Sequence, residues 1–195
     1  MGKLTFYYGT MGSAKTANAL MTRYQYIHNG RSVWLIKPAT DTRDDKDSKT
    51  IIKSRIGLEA DARAVQASDN LFEVYLTHWR YNKPDIIICD EAQFFTAAQI
   101  EQLRDIATFL NVDIFCFGLR TDFITNSFTG SARLFELADE LVKLDNICDC
   151  GQPALVNARF DTSGNIITVG ENILIGGDDR YKAICWKCYR QRIDK

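Results

Sequence analysis

The chain has 195 residues, which suggests one domain with a small appendage rather than two full domains. Its formal charge of −1 gives no basic footprint for nucleic acid or an anionic membrane, and a hydrophobic content of 46% can supply a real core. No apolar run approaches membrane-spanning length, and the N-terminus lacks a basic, apolar, small-residue leader pattern, so a cytoplasmic protein with reduced thiols is expected.

Leu4-Thr5-Phe6-Tyr7-Tyr8 reads as a buried strand that runs into Gly9-Thr10-Met11-Gly12-Ser13-Ala14-Lys15-Thr16. A helical stretch follows from Lys15 to His28, with Leu20, Met21, Tyr24 and Ile27 on one side and Asn29-Gly30 as its stop. Strand, small-residue loop, Lys-Thr pair and helix is the layout of a phosphate-binding loop. Its backbone N–H groups would face an anion, Lys15 would reach the β- and γ-phosphates of a nucleoside triphosphate, and Thr16 would place its hydroxyl on Mg²⁺. Ala14 stands where the second glycine of the pattern belongs. Alanine resists positive φ, so this reading requires a right-handed backbone at position 14 and excludes a left-handed one. The plain alternative is that Ala14-Lys15-Thr16 simply opens a helix behind an ordinary turn.

Ser32 to Lys37 reads as a second strand, stopped by Pro38. Thr40 to Lys49 is highly charged with no apolar period, which predicts an exposed loop. A short strand is expected within Ile51 to Leu58, another around Val65, and a helix from Ser68 to Trp79. Asp85-Ile86-Ile87-Ile88-Cys89-Asp90 is a continuous apolar run that suits a central parallel strand. Thr96 to Gln99 forms a capping box for a helix running to about Leu110. Val112 to Gly118 is again a strand and Ser131 to Leu141 a helix. Alternating strands and helices predict an α/β fold, a parallel sheet of the P-loop NTPase kind flanked by helices.

Asp90-Glu91-Ala92-Gln93-Phe94-Phe95 follows the most apolar strand, where open α/β sheets gather their ligands. Asp90 would be the metal-side carboxylate and Glu91 would be free to accept the proton of an attacking hydroxyl. An isolated Asp-Glu pair could also merely end a strand at the surface.

The character changes near Asn146, which places a boundary between a domain 1–146 and a smaller one 147–195. Ala154 to Phe160 and Ile166 to Val169 flank Asp161 to Asn165, a hairpin signal. Of the six cysteines, Cys89 and Cys116 lie in apolar strands and read as core. Cys148 and Cys150, with Cys185 and Cys188, make two close pairs that suit a tetrahedral structural Zn²⁺ with no open position. Unligated thiols or a redox pair would give the same spacing. His28, His78, Trp34, Trp79 and Trp186 read as packing or surface residues.

Taken together and in order, these pieces resemble the type II thymidine kinases. The resemblance covers nearly the whole chain. It is carried by Gly9 to Thr16, Lys37-Pro38-Ala39-Thr40-Asp41-Thr42-Arg43, Ser54-Arg55-Ile56-Gly57-Leu58, Asp90 to Phe95, Gly118-Leu119-Arg120-Thr121-Asp122-Phe123 and the cysteine-bearing tail. It implies transfer of the γ-phosphate of ATP to the 5′-hydroxyl of thymidine, with Glu91 as catalytic base. Thr16 and Asp90 would organise Mg²⁺, and ATP contacts would fall on Gly9, Thr10, Met11, Gly12, Ser13, Ala14, Lys15, Thr16 and on Asp90, Glu91, Ala92 and Gln93. Arg43 would approach the phosphates, whereas composition alone makes it a solvated charge among Asp41, Asp44 and Asp45.

By the same resemblance the zinc-pinned segment is a lasso over the nucleoside. There Asn172, Ile173, Leu174, Ile175, Gly176 and Tyr181 join Met11, Phe94, Leu119, Phe123 and Phe128 around the base. For each aromatic, plain core packing is the alternative. A homotetramer inhibited by dTTP, with no nucleic-acid or membrane partner, is implied as well. Two rival readings stay open at this point. One is a nucleic-acid ATPase with a helicase-like acidic box, and the other a nucleotide-binding regulator without transferase activity.

Overall fold

A computed structural model describes residues 1–45, 48–80, 83–170 and 180–193. Its centre is a six-stranded sheet, and every pairing in it is parallel. In chain order the strands are β1 (Leu4–Gly9), β2 (Val33–Pro38), β5 (Arg63–Val65), β6 (Ile86–Cys89), β7 (Asp113–Leu119) and β8 (Glu140–Leu144). They lie side by side as β5-β2-β6-β7-β1-β8. The crossovers run through α1 (Lys15–His28), α2 (Leu71–Trp79), α3 (Ala97–Leu110) and α4 (Thr129–Leu137). Because the chain passes from β1 to β2 and only later inserts β6 and β7 between them, β1, β2, β6 and β7 all release their loops at one edge of the sheet.

Strand alternation divides the core. Ile87 and Cys89 of β6 join Phe6, Trp34, Ile36, Ile114 and Cys116 on the face that packs α2, α3 and α4, where Leu71, Tyr75, Ile100, Leu103, Ile106 and Leu134 are buried. Ile86 and Ile88 point the other way, with Leu35 and Phe117, against Ala19 and Leu20 of α1 and Ile52. All four β6 residues are buried, which is why this strand reads as an unbroken apolar run. Each such isoleucine contributes roughly 1.5–3 kcal/mol by leaving water.

The Thr96 capping box forms as expected, and Gln99 also donates to the Gln66 carbonyl at 2.8 Å, which fixes the exit of β5. Gly130 lets the start of α4 touch the chain after β6. A Cβ there would lie 2.7 Å from the carbonyl oxygens of Ala92 and Phe95.

Three expectations change here. The helix expected from Ser131 to Leu141 stops at Leu137, because Ala138 is extended and Glu140–Leu144 becomes β8. As an exposed edge strand, β8 shows little apolar alternation. Its pairing is decided by β1, whose Leu4 exchanges backbone and side-chain hydrogen bonds with Asp139. The strand expected in Ile51 to Leu58 ends at Lys53 as β3 (Ile51–Lys53). A turn at Ser54 to Leu58 then leads into β4 (Glu59–Asp61), its antiparallel partner. The charged loop after Pro38 is not wholly solvated, because Asp41 is buried.

In the tail the Asp161–Asn165 turn forms, and the pairing across it is short: Phe160 bridges Ile166, and the Ile167 N–H donates to the Arg159 carbonyl at 2.8 Å. The main partner of β9 (Val156–Arg159) is instead β10 (Tyr181–Ile184), followed by α5 (Trp186–Ile193). Val156, Ala158, Ile184 and Tyr189 form a small separate cluster into which Cys148 and Cys185 are also buried.

Candidate functional site

A cavity of about 750 Å³ opens at the shared strand edge. One wall is the turn between β1 and α1. Met11, Gly12, Ala14, Lys15 and Thr16 line it, while Gly9, Thr10 and Ser13 are buried behind as its foundation. Gly12 (φ 81°) and Ala14 (φ 60°, ψ 26°) are both left-handed. The requirement for a right-handed alanine is therefore overturned. Left-handed residues in a tight turn aim successive N–H groups into one concavity, so position 14 adopts the backbone that a glycine would take freely. The methyl group costs roughly 1–2 kcal/mol there, and it is held by the start of α1, where Asn18 donates both its N–H and its side-chain amide to the Ala14 carbonyl at 2.9 Å.

Lys15 folds back across this turn, and its Nζ donates to the Thr10 carbonyl at 2.7 Å. Burial lowers its pKa to about 8, against the raising influence of Glu91 and Asp90. An ammonium so short of partners is ready for an anion.

The facing wall comes from the end of β6. Asp90 is 4% exposed; burial and the Glu91 charge push its carboxyl up to about 7, although the Thr16 hydroxyl donates to it. Glu91 takes a left-handed backbone (φ 49°) as the chain turns into the 3-10 turn Ala92–Phe94. One of its carboxylate oxygens accepts from Arg43 Nη2 and the other from Gln93 Nε2 at 2.5 Å. Gln93 in turn accepts the Leu119 N–H at 2.9 Å, tying the end of β6 to the end of β7. Arg43 also donates through Nε to Asp41 at 2.7 Å. Arg43 is exposed to solvent and yet is not a lone charge: it bridges two carboxylates at the cavity wall. Ala92 is fully buried in the core and does not line the cavity.

The apolar end of the cavity is built by Phe94, Leu119, Phe123 and Phe128, with Phe94 and Phe128 edge to face at 5.5 Å. The Asp122 carboxylate accepts the N–H groups of Ile124 and Asn126 and so shapes the loop that carries Phe123 and Phe128. Tyr181 lines the same end, with the Arg159 guanidinium 5.9 Å from its ring and 5.3 Å from that of Phe123. Asn172, Ile173, Leu174, Ile175 and Gly176 lie outside the described residues.

Cys148, Cys150, Cys185 and Cys188 converge, with their sulfurs all within 4.8 Å of one another and Cys150 and Cys185 3.6 Å apart. A Zn–S bond of about 2.3 Å in tetrahedral geometry places sulfurs about 3.8 Å apart, so the set fits zinc. Cys89 and Cys116 are buried opposite each other on β6 and β7, as core residues.

Two contributors escape a reading of motifs, and a third stood in one without a role. Asn157 of β9 accepts the Met11 N–H at 2.7 Å, and Asn146 donates to the Met11 carbonyl at 2.7 Å, so the tail is stapled to the phosphate turn. Asparagine side chains carry no signal for so distant a partner. Lys37, fully buried at the end of β2, does carry one, since a lysine closing an apolar strand is unusual.

A family model described as "Thymidine kinase" matches residues 2–189. The chain is similar to the thymidine kinase of Rhodopirellula baltica, 37% identical over 193 residues, covering 99% of this chain and 90% of that one. It is also similar to the thymidine kinase of Legionella pneumophila subsp. pneumophila, 40% identical over 195 residues, covering 98% and 90%. Among solved structures, the Pif1 helicase from Candida albicans aligns with a TM-score of 0.42 and 14% identity over 73% of this chain and 36% of that one.

Proposed function

The chain belongs to the thymidine kinase family and phosphorylates thymidine, and from that premise we propose that Glu91 is the catalytic base and that ATP is the donor. The observation that carries this reading is the position of the Glu91 carboxylate. It ends the central strand on the cavity wall and faces the left-handed turn that holds Lys15. Glu91 accepts the proton of the 5′-hydroxyl, the oxygen forms its bond to the γ-phosphorus, and the bond from that phosphorus to the β,γ-bridging oxygen breaks to release ADP. Lys15 exchanges the Thr10 carbonyl for phosphate oxygens, which restores the partners that burial removed.

Thr16 and Asp90 would hold Mg²⁺. Their oxygen-only donor set suits a hard cation, and Asp90 is pushed up by burial and the Glu91 charge, which Lys15 only partly offsets. When bound, that ion neutralises phosphate charge. Phe94, Leu119, Phe123, Phe128, Met11 and Tyr181 exclude water around the base. Asn172, Ile173, Leu174, Ile175 and Gly176, outside the described residues, would complete the nucleoside contacts. Cys148, Cys150, Cys185 and Cys188 would hold a structural zinc that closes this long loop.

In this reading residues 1–146 form the ATP-binding domain and 147–195 the nucleoside-covering module. Assembly into a cytoplasmic homotetramer and inhibition by dTTP complete it, open to sedimentation and inhibition assays. A nucleic-acid motor is not favoured, because the relatives spanning this whole chain are thymidine kinases.

The test is a nucleoside panel with ATP and Mg²⁺, run on the wild type and Glu91→Gln. ADP release should depend on thymidine and not on polynucleotide. Glu91→Gln should bind ATP normally and lose roughly 10²–10⁴-fold in turnover. Near-normal turnover by that variant would remove Glu91 as the base.

A further inference from the structure

We propose that Lys37 is a positioning residue for phosphoryl transfer: its buried ammonium fixes the Asp41–Arg43 segment so that Arg43 meets Glu91. This rests on the reading of Glu91 as the base.

Lys37 does not line the cavity, and none of its surface reaches solvent. Strand alternation puts it on the same face as Leu35, next to Ile52, where an aliphatic side chain would fill the space without bringing a charge out of water. The charge is justified by what surrounds it. Lys37 Nζ donates to the Ile51 carbonyl at 2.9 Å and lies 2.9 Å from Asp45 Oδ1 and 3.7 Å from Asp41 Oδ2. Asp45 Oδ1 also accepts the Ile51 N–H at 3.0 Å. One ammonium therefore fastens the outgoing leg of the loop at Asp41, its middle at Asp45 and its return at the first residue of β3.

From Asp41 the line continues to the site. Its second oxygen, Oδ1, accepts from Arg43 Nε at 2.7 Å, and Arg43 Nη2 donates to Glu91. Burial pushes the Asp41 carboxyl up, but Arg43 and Lys37 outweigh burial and hold it below its ordinary value, so it stays ionised. Lys37, Asp41, Arg43 and Glu91 thus alternate in sign from the end of β2 to the end of β6. Without Lys37, Asp41 loses its second cation among the described residues, and the loop loses the anchor that joins Asp41, Asp45 and Ile51. Arg43 would then sample other orientations, and the Glu91 carboxylate would lose its fixed partner. Misplacement of a reacting group by about 1 Å can cost on the order of 100-fold in rate.

The experiment compares Lys37→Met, Asp41→Asn and the double variant in the full-length protein, with folding and metal content checked for each. Lys37→Met should lose roughly 10- to 100-fold in kcat while the KM values for ATP and thymidine stay within about threefold. Asp41→Asn should lose a similar factor, and the double variant no more than the worse single, because the residues act in one line. A merely structural role would raise both KM values along with the loss, and the two losses would multiply. If Lys37→Met does not fold, Asp45→Asn at its half-exposed position decides: a several-fold fall in kcat with unchanged KM values supports the line, and wild-type kcat overturns it. Glu91→Gln serves as the control. If it is inactive while Lys37→Met keeps wild-type kcat, the positioning line fails alone. If it keeps full turnover, the base assignment itself fails.

Discussion

Ala14 and Glu91 both line the cavity on backbones that their side chains resist. Both are non-glycine residues in the left-handed region, and strain of roughly 1–3 kcal/mol at each persists only where surrounding structure enforces it. At Ala14 the enforcement comes from α1, and removing the methyl group should release the strain. Ala14→Gly is expected to raise stability by about 0.5–1 kcal/mol, a Tm gain of roughly 1–4 °C, with ATP binding retained. Calorimetry of the two proteins checks it, and an unchanged or lower Tm would show that the turn carries no strain at this residue. Residue type was legible here, since Gly12, Lys15, Thr16, Asp90 and Glu91 all stand where the motif placed them. Backbone sign was not. Positive φ at an alanine is decided by how the turn must close between β1 and α1, and propensity points the other way.

At the scale of elements, the tail is a pair of strands and a helix gathered around thiols. Its apolar cluster is small, and two of the four convergent cysteines are part of it. Metal and fold should therefore be lost together. Cys185→Ser should release the zinc, measured by elemental analysis. Thymidine KM should rise well before ATP KM, because Tyr181 of this module lines the apolar end of the cavity, the end proposed above for the nucleoside. Undiminished zinc content would remove the ligand assignment. The cysteine pairs were readable from spacing alone, and so were the central strand and the capping box. The pairing of β9 with β10 was not, because a nearer turn offered itself and only the distant segment brings Cys185 and Cys188 back to Cys148 and Cys150. The edge strand β8 was missed for a related reason, since its half-exposed residues have no period of their own.

Across the whole molecule, carboxylates tie the ends of the sheet. Asp139 accepts the Leu4 N–H and pairs with Arg104, while Asp85 accepts the N–H and hydroxyl of Ser32. Burial pushes Asp139 up, but Leu4 and Arg104 more than offset it. The Ser32 N–H is the main influence holding Asp85 down. Both carboxyls therefore titrate lower in the folded protein than in the unfolded chain. Their contribution is present at neutral pH and disappears as pH falls through the folded values, below the ordinary carboxylate range. The urea midpoint should rise as pH falls from about 7 to 5, because Asp90, pushed up to about 7, takes up its proton first in the folded state, and it should then fall below about pH 4 as Asp139 and Asp85 lose their contribution. Asp139→Asn should have a lower midpoint at pH 7 and a shallower acid fall, and an acid limb of wild-type depth would take Asp139 out of this account.

Two things were determined by sequence alone. The class of fold follows from apolar periods, which reflect which side of each strand meets water. The chemistry follows from motifs that are contiguous in the chain, such as Gly9 to Thr16 and Asp90 to Gln93. Tertiary structure alone decided the couplings: Asn157 on Met11, Gln93 between Glu91 and Leu119, and Lys37 through Asp41 and Arg43 to Glu91. The physical reason is range. Solvent exposure acts on each residue separately and leaves a local trace, whereas a hydrogen bond between residues far apart in the chain exists only after the sheet has brought its strand ends to one edge.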